Sequence, residues 1–260
     1  MKNNLRDKFE QGKRSVGTFT HLKSMEAIEA IGASGMEFLV VDMEHCPVSI
    51  TEAARYIQAA DVAGLDTLVR VNDITRPAIL YPLDAGAKGV IVPCIKTVEQ
   101  AKQLVEYAKY KPVGQRGYCM TRDGIWGDDA SYQNGLAGYM EDANKNTLLI
   151  LQCETMECAK QIDNIVAVEG VDGIMVGPND LSIAMGMPGQ FKNPVFIETV
   201  QSIVDACKKA GKMSFAFCHD AEEANERLSQ GFDNAIVGID ILTLISSYKN
   251  ILKDVLIWKM

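Results

Sequence analysis

Eight short apolar runs recur along the chain, and stretches with a helical pattern separate them. The intervening stretches repeat apolar residues every three or four positions, and several begin with Ser or Thr, which are preferred N-caps. This alternation predicts parallel strands joined by helices. The predicted strands are Ser15–Thr20, Phe38–Asp42, Thr67–Val71, Gly89–Pro93, Leu148–Gln152, Gly173–Val176, Met213–Phe217 and Asn234–Val237.

Eight such units within 260 residues, without a break in composition, favour one (β/α)8 TIM barrel domain over residues 1–260. An open doubly wound sheet is the alternative, but no GxGxxG motif follows the first strand. Residues 111–146 interrupt the alternation with a long segment rich in Gly, Asp and Asn. Because long loops in compact domains are commonly functional, we predict an active-site loop there.

Composition narrows the range of partners. The net charge is −8 and no Lys/Arg block occurs, which argues against nucleic-acid or membrane partners. The polar N-terminus lacks the features of a signal peptide, and no apolar run reaches the roughly 20 residues of a membrane span. The seven cysteines have no CxxC pair and several lie in apolar runs, which indicates reduced thiols. We therefore expect a cytoplasmic protein with a small-molecule substrate.

Charged side chains follow several of the predicted strands. Asp42 and His45 follow the second strand, Arg70 ends the third, and Glu154 and Asp180 follow the fifth and sixth. In a (β/α)8 barrel the carboxyl ends of all strands meet at one rim, where the active site lies. These side chains are therefore predicted to converge.

The residue types indicate a particular chemistry. Two carboxylates from neighbouring strands suit a hard divalent cation such as Mg²⁺ or Mn²⁺. The Gly-Pro turn before Asp180 offers backbone N–H groups to a substrate carboxylate. Arg70 presents a planar fork to an anionic oxygen, and the acidic neighbours of His45 suit a proton-transfer group.

Each residue taken alone has a simpler explanation. Asp180 is placed as a helix N-cap would be, and Arg70 as one half of a surface ion pair. His21 and His219 also fall near strand ends, but nothing around them in the sequence specifies a role, so we expect rim histidines. The joint placement of the charged residues is what favours a site.

Several motifs resemble one known family. The segments "VVDMEHCPVS", "LVRVND", "LDAGAKGVIVP", "LLILQCET" and "VEGVDGIMVGPNDLSIAMG" resemble, in order and spacing, the HpcH/HpaI class II pyruvate aldolases. That family includes 4-hydroxy-2-oxo-heptanedioate and 2-keto-3-deoxy-sugar-acid aldolases. The resemblance runs from Val16 to about Ile239 and implies a barrel of the phosphoenolpyruvate/pyruvate-binding type.

The resemblance also implies roles for individual residues. Glu154 and Asp180 match the ligands of a divalent cation (Mg²⁺, Mn²⁺ or Co²⁺), and Arg70 matches the arginine that contacts the keto oxygen. His45 matches the histidine implicated in proton transfer. The supporting acidic positions are Asp42 and Asp84, and the pyruvate-binding positions are Gln152, Gly177, Pro178 and Asn179.

The expected reaction is reversible cleavage of a 4-hydroxy-2-oxo acid to pyruvate and an aldehyde through a metal-stabilised enolate. The main alternative is a metal-dependent oxaloacetate or oxo-acid decarboxylase on the same site. A Schiff-base mechanism would need a lysine, for which Lys96 is the candidate, and a non-catalytic binding protein is a third possibility. Residues 118–125, "YCMTRDGI", depart from the family pattern, so the aldehyde is not assigned.

The resemblance further implies a homo-oligomer, expected to be a hexamer, in which the last helix packs on a neighbouring barrel. Trp258 and Met260 lie beyond the point where a closing helix needs apolar residues, which suits a neighbouring subunit. The alternative is that the apolar residues of this helix face their own barrel; these are Leu242, Leu244, Ile245, Ile251, Leu252 and Leu256.

Overall fold

A computed structural model describes residues 2–255 of the chain. Eight parallel strands form a closed barrel in sequence order, so the predicted (β/α)8 fold is confirmed. Every strand begins and ends within two residues of its predicted bounds. The strands are β1 (Ser15–Thr20), β2 (Phe38–Asp42), β3 (Asp66–Arg70), β4 (Gly89–Val92), β5 (Leu148–Cys153), β6 (Gly173–Val176), β7 (Met213–Cys218) and β8 (Asn234–Ile239).

Helices connect the strands and cover the outside of the barrel. Ser49 shows how the sequence begins one of them: its hydroxyl accepts from the Glu52 N–H while the Glu52 carboxylate accepts from the Ser49 N–H. The helices are α1 (Asn4–Glu10), α2 (Met25–Ala33), α3 (Ile50–Val62), α4 (Arg76–Asp84), α5 (Val98–Ala108), α6 (Gly135–Asn146), α7 (Met156–Lys160), α8 (Ile162–Val166), α9 (Pro178–Ala184), α10 (Pro194–Ala210), α11 (Ala221–Ser229) and α12 (Asp240–Asp254).

The core has two layers. One lies between the strands and the helices, and the other fills the barrel with side chains such as Phe38, Leu68, Ile150 and Phe215. Because both faces of each strand are covered, the strands have continuous apolar runs rather than alternating ones. Those runs were the basis of the prediction.

The amino end of the barrel is closed by α1. Leu5 packs against the barrel interior, and its N–H donates to Asp66 at 2.9 Å. Beside it, Asp172 accepts from Lys109 Nζ at 2.7 Å and pairs with Arg6. Lys109 and Asp172 are both buried, so this end holds a compensated ion pair.

Residues 111–146 are folded, with two 3₁₀ segments (Arg122–Gly127 and Ala130–Asn134) before α6. Arg122 donates to the Ala85 carbonyl and to Asp61, which anchors the segment to the ends of α3 and α4. Since the segment precedes β5, it meets the barrel at the amino end of that strand.

The apolar side chains of α12 point away from the barrel core. Leu242, Leu244 and Ile245 are 54%, 42% and 43% exposed, and Tyr248, Ile251 and Leu252 are also exposed. This does not match the alternative in which they face their own barrel. Leu256, Trp258 and Met260 lie outside the described residues. Within residues 2–255, no helix has both the length and the apolar character to cross a membrane.

Candidate active site

Asp42, the last residue of β2, is the centre of a hydrogen-bond network at the carboxyl rim. Its carboxylate accepts from Arg70 Nε at 2.9 Å and Nη2 at 2.6 Å, and lies 2.8 Å from His21 Nε2. The backbone N–H groups of Glu44 and His45 also donate to it, at 3.0 and 3.3 Å. Asp42 is fully buried, so its position is set by these partners.

Arg70 is held rigidly by this network. Two guanidinium nitrogens, Nε and Nη2, donate to Asp42. The guanidinium carbon lies 4.6 Å from the centre of the Phe19 ring. Burial alone raises the pKa of Asp42, but the hydrogen bond and the charge of Arg70 outweigh it, and the pKa is lowered. Asp42 is thus ionised and orients the guanidinium for an anionic oxygen.

The three histidines differ in their partners. His21, at the end of β1, is the one whose ring contacts Asp42. The ring of His45 is 60% exposed, and its nearest carboxylate oxygen is Glu44 Oε2 at 3.7 Å. His219 is paired with Glu223 at 2.8 Å on the adjacent helix. His45 therefore lies at the rim with the other predicted residues, but the carboxylate expected to orient its ring is too distant for a hydrogen bond.

Glu154 lies just beyond β5 and is 4% exposed. One carboxylate oxygen accepts from the Cys94 N–H at 2.6 Å, and the other from the Gln152 side chain. A Cβ atom at residue 177 would lie 2.7 Å from Glu154 Oε2, so the Gly177 backbone reaches this carboxylate because it has no side chain. No Lys or Arg among residues 2–255 pairs with Glu154.

A small acidic cluster surrounds Glu154. Ligand atoms of Glu44, Cys94 and Glu154 all lie within 4.8 Å of one another. Burial and then the charges of Glu154, Glu44 and Asp180 raise the pKa of the Cys94 thiol to about 11. Burial raises the pKa of Glu44, the charge of Arg70 lowers it, and that of Glu154 raises it further. Glu154 is buried and has no lysine or arginine partner among the described residues, which fits the needs of a divalent cation.

A cavity of about 260 Å³ opens at this rim. It brings together all the predicted pyruvate-binding residues, the histidines His21 and His45, and one predicted metal ligand, Asp180. Its polar lining is His21, His45, Arg70, Gln152, Gly177, Pro178, Asn179 and Asp180, and its apolar lining is Phe19, Met175, Phe217 and Ile239.

The backbone donors of the Gly-Pro turn are fewer than the sequence indicates. The Gly177 N–H donates to the Cys153 carbonyl at 3.2 Å, and Pro178 has no N–H. The N–H groups of Asn179 and Asp180 lie in the first turn of α9, where a helix provides no internal acceptor. These two groups are therefore the ones open to a substrate carboxylate.

Asp84 does not line this cavity. It ends α4, where Arg116 Nη2 contacts it at 2.7 Å and also contacts Asp123 at 2.8 Å. Burial raises the pKa of Asp84, while Arg116 opposes that effect. No residue of 111–146 lines the cavity either. The catalytic role of Asp84 and the active-site loop therefore stay predictions.

Sequence reasoning gave no role to three neighbours of the site: His21 and Glu44, which it placed at strand ends, and Cys94, which it took for a thiol in an apolar run. The strand ends gave a usable signal for all of them, because His21 follows β1, Glu44 follows β2 and Cys94 follows β4. The sequence could not show which of the histidines at strand ends, His21, His45 or His219, contacts Asp42.

One family model matches most of the chain. The model of the HpcH/HpaI aldolase/citrate lyase family matches residues 15–247. A 2-keto-3-deoxy-L-rhamnonate aldolase from Salmonella paratyphi A is 29% identical over 256 residues, which cover 96% of this chain and 92% of that protein.

Solved structures show the same architecture. Citrate synthase SbnG has a TM-score of 0.85 and 30% identity, with 96% of each chain covered. An HpcH/HpaI aldolase from Desulfitobacterium hafniense DCB-2 has a TM-score of 0.88 and 27% identity, over 96% of this chain and 95% of that one. A citrate lyase β subunit from M. tuberculosis, solved with oxaloacetate and magnesium, has a TM-score of 0.58 and 18% identity, over 91% and 94%; this likeness shows the fold alone.

Proposed function

The chain belongs to the HpcH/HpaI aldolase/citrate lyase family, and from this premise we propose that it reversibly cleaves a 4-hydroxy-2-oxo acid to pyruvate and an aldehyde. Its class is that of a carbon–carbon lyase, as the family and its named relatives are aldolases. The observation that carries the proposal is the rim cavity, which Arg70, Gly177 and Asp180 all line; the Gly177 backbone in turn lies against the buried Glu154.

Arg70 serves the step in which charge develops. Cleavage leaves negative charge on the oxygen of the pyruvate fragment, and a fixed guanidinium stabilises that charge as it develops in the transition state. Asp42 and Phe19 hold the guanidinium before substrate arrives, so little reorganisation is needed. Gln152 and the N–H groups of Asn179 and Asp180 orient the oxo acid.

Glu154 and Asp180 are proposed to hold a divalent cation, Mg²⁺, Mn²⁺ or Co²⁺, with Glu44 and Cys94 beside it. The support is that Glu154 is buried without a lysine or arginine partner and lies within 4.8 Å of the Glu44 and Cys94 ligand atoms. When bound, such a cation supplies Lewis-acid stabilisation of the developing negative charge. No lysine with a Schiff-base role is required.

The substrate class is proposed from the relatives. The Salmonella relative named as a 2-keto-3-deoxy-L-rhamnonate aldolase supports a 2-keto-3-deoxy sugar acid, with a 4-hydroxy-2-oxo dicarboxylate as the other choice. The 30% sequence identity with citrate synthase SbnG favours a second candidate function, which is carbon–carbon bond formation with an oxo-acid acceptor. Decarboxylation of oxaloacetate is the remaining alternative on this site.

A substrate panel tests these proposals. Pyruvate is offered with hydroxyaldehydes, succinic semialdehyde or oxaloacetate, each with Mg²⁺, Mn²⁺ or Co²⁺, and products are identified by mass spectrometry. We expect aldol products with aldehydes. Consumption of oxaloacetate without any aldehyde, and no aldol product, would favour the decarboxylase instead.

We also propose that the protein is a homo-oligomer, with a hexamer as the expected state. The exposed apolar face of α12, formed by Leu242, Leu244, Ile245, Tyr248, Ile251 and Leu252, supports a subunit contact. Light scattering at micromolar concentration tests this, and a monomer would contradict it.

A further inference from the structure

His21 lies at the rim, as expected, but the sequence gave it no role. It follows β1, lines the cavity with Arg70, and its Nε2 lies 2.8 Å from Asp42 Oδ2. We propose that His21, positioned by Asp42, is the residue that takes the proton from the hydroxyl of the cleaved bond. This inference rests on the aldol chemistry proposed above.

The backbone around His21 is firmly fixed. The Asp240 carboxylate accepts from the His21 N–H at 2.8 Å and from the Leu22 N–H at 3.1 and 3.2 Å. The same carboxylate accepts from the Thr20 hydroxyl at 2.6 Å. Because Asp240 begins α12 directly after β8, the end of β1 is tied to its neighbouring strand. The imidazole is therefore presented from a rigid support, as a catalytic group requires.

The hydrogen bond to Asp42 also sets the tautomer of the ring. Asp42 is ionised, since Arg70 lowers its pKa against the effect of burial, and an ionised carboxylate only accepts hydrogen bonds. The proton of neutral His21 is consequently on Nε2, and Nδ1 carries the lone pair. Among residues 2–255, no group hydrogen-bonds to Nδ1, so it is available to a substrate hydroxyl.

His45 lacks these features. Asp42 accepts only from the backbone N–H of His45, at 3.3 Å, and not from its ring. The ring is 60% exposed, against 23% for the side chain of His21. A general base gains from a partner that orients it and stabilises its protonated form. In this chain that partner belongs to His21.

The proton of the C4 hydroxyl moves to His21 Nδ1, and the electron pair of the O–H bond forms the C=O of the aldehyde. The C3–C4 bond breaks, and its electron pair becomes the C2=C3 bond of the pyruvate enolate, whose charge lies on oxygen near Arg70. In the synthetic direction His21 returns the same proton to the new hydroxyl.

The test uses single variants of the three histidines that the chain contains. Two rates are measured for each: cleavage of the hydroxy-oxo acid, and exchange of pyruvate methyl protons with D₂O, which involves no hydroxyl group. For His21→Ala we expect kcat for cleavage to fall by about 10²–10⁴, the usual contribution of a general base, with exchange little changed. His219→Ala is the matched control, because His219 is a rim histidine with a different carboxylate partner, and it should keep both rates.

Some outcomes would overturn the inference. If His45→Ala loses as much cleavage as expected for His21→Ala while His21→Ala keeps it, His45 is the base. If His21→Ala slows exchange and cleavage equally, His21 acts at the enolate and not at the hydroxyl. A wild-type enzyme that neither cleaves nor exchanges overturns the proposed function, and this inference with it.

A second measurement does not depend on the folding of a variant. Long-range ¹H–¹⁵N NMR of the wild-type protein reports the tautomer of each histidine, and its three rings make assignment simple. We expect neutral His21 to carry its proton on Nε2. A proton on Nδ1 would leave no lone pair for the hydroxyl and would contradict the proposal.

Discussion

The two ends of the barrel differ in whether a buried carboxylate has a lysine or arginine partner. At the amino end, Asp172 accepts from Lys109 at 2.7 Å and from the Leu149 N–H at 2.8 Å, and it also pairs with Arg6. At the carboxyl end, Glu154 is also buried and accepts from the Cys94 N–H and the Gln152 side chain, but no Lys or Arg among the described residues pairs with it.

This difference indicates which buried carboxylate stabilises the fold and which is suited to bind a ligand. A buried carboxylate with its own cations satisfies its charge within the chain, and removing one partner leaves the others uncompensated. A buried carboxylate without a cation is costly to keep, which argues that something outside the chain completes it. We therefore propose that the amino end serves stability and that the carboxyl end binds metal and substrate.

The largest expected effect is loss of turnover on removal of metal. EDTA should abolish activity, and Mg²⁺, Mn²⁺ or Co²⁺ should restore it. A metal bound only by the folded state also raises its stability, by about 2.7 kcal/mol at one hundred times the Kd. The metal-dependent rise in Tm should vanish in Glu154→Ala and persist in Asp172→Asn.

Borohydride provides the control for the reaction type. Treatment with borohydride in the presence of pyruvate should leave the enzyme active, because no Schiff base forms. Irreversible inactivation would instead indicate a lysine mechanism and would remove the reason for a metal at Glu154.

The next effect is on stability at the amino end. Asp172→Asn leaves Lys109, which is 2% exposed, without its carboxylate, and loss of one partner of a buried pair costs about 3–5 kcal/mol. Urea unfolding measures this loss. Asp163→Asn is the matched control, since its pair with Lys209 is at the surface and such pairs contribute less than about 1 kcal/mol. Equal stability of the two variants would show that the buried network is not structural.

At the carboxyl end, Arg70→Ala should impair turnover more than folding. Removal of one donor to a developing oxyanion typically costs about 10²–10³ in kcat, roughly 3–4 kcal/mol. Arg70→Lys should recover little, because an ammonium group does not reproduce the paired contacts to Asp42 at 2.6 and 2.9 Å. Exchange of pyruvate protons should slow as well. If the alanine variant exchanges at the wild-type rate, Arg70 has no part at the enolate.

The fold and most of the rim were predictable because they depend on local patterns. Apolar strand runs and the helical repeats between them give the barrel, and strand ends give Asp42, Arg70 and Asp180. The partners of those residues depend on distances across the barrel. His21 lies next to Asp42 because β1 and β2 pair, with Thr20 opposite Val41, and no sequence spacing expresses that register.

Asp84 illustrates the other limit. The resemblance gives it a supporting acidic position, which stays a prediction; within this chain it ends α4 and pairs with Arg116. A family motif gives a position in the sequence and not the contact that the residue makes in one chain.

The smallest predicted effect is also the sharpest contrast between the ends. In EDTA, Glu154→Gln should raise the Tm, because we expect its free energy of unfolding to increase by roughly 0.5–2 kcal/mol, as for a typical stabilising substitution. Asp172→Asn should lower the Tm. The variant removes a buried charge close to Glu44 and can keep its hydrogen bonds. The amide oxygen of the new glutamine can still accept from the Cys94 N–H. If the Gln152 amide flips, the new NH₂ group can donate to Gln152 Oε1, which has no partner among the described residues. Calorimetry with and without metal measures both effects. A lower Tm for Glu154→Gln in EDTA would mean that the carboxylate is itself structural, and the distinction between the two ends would fail.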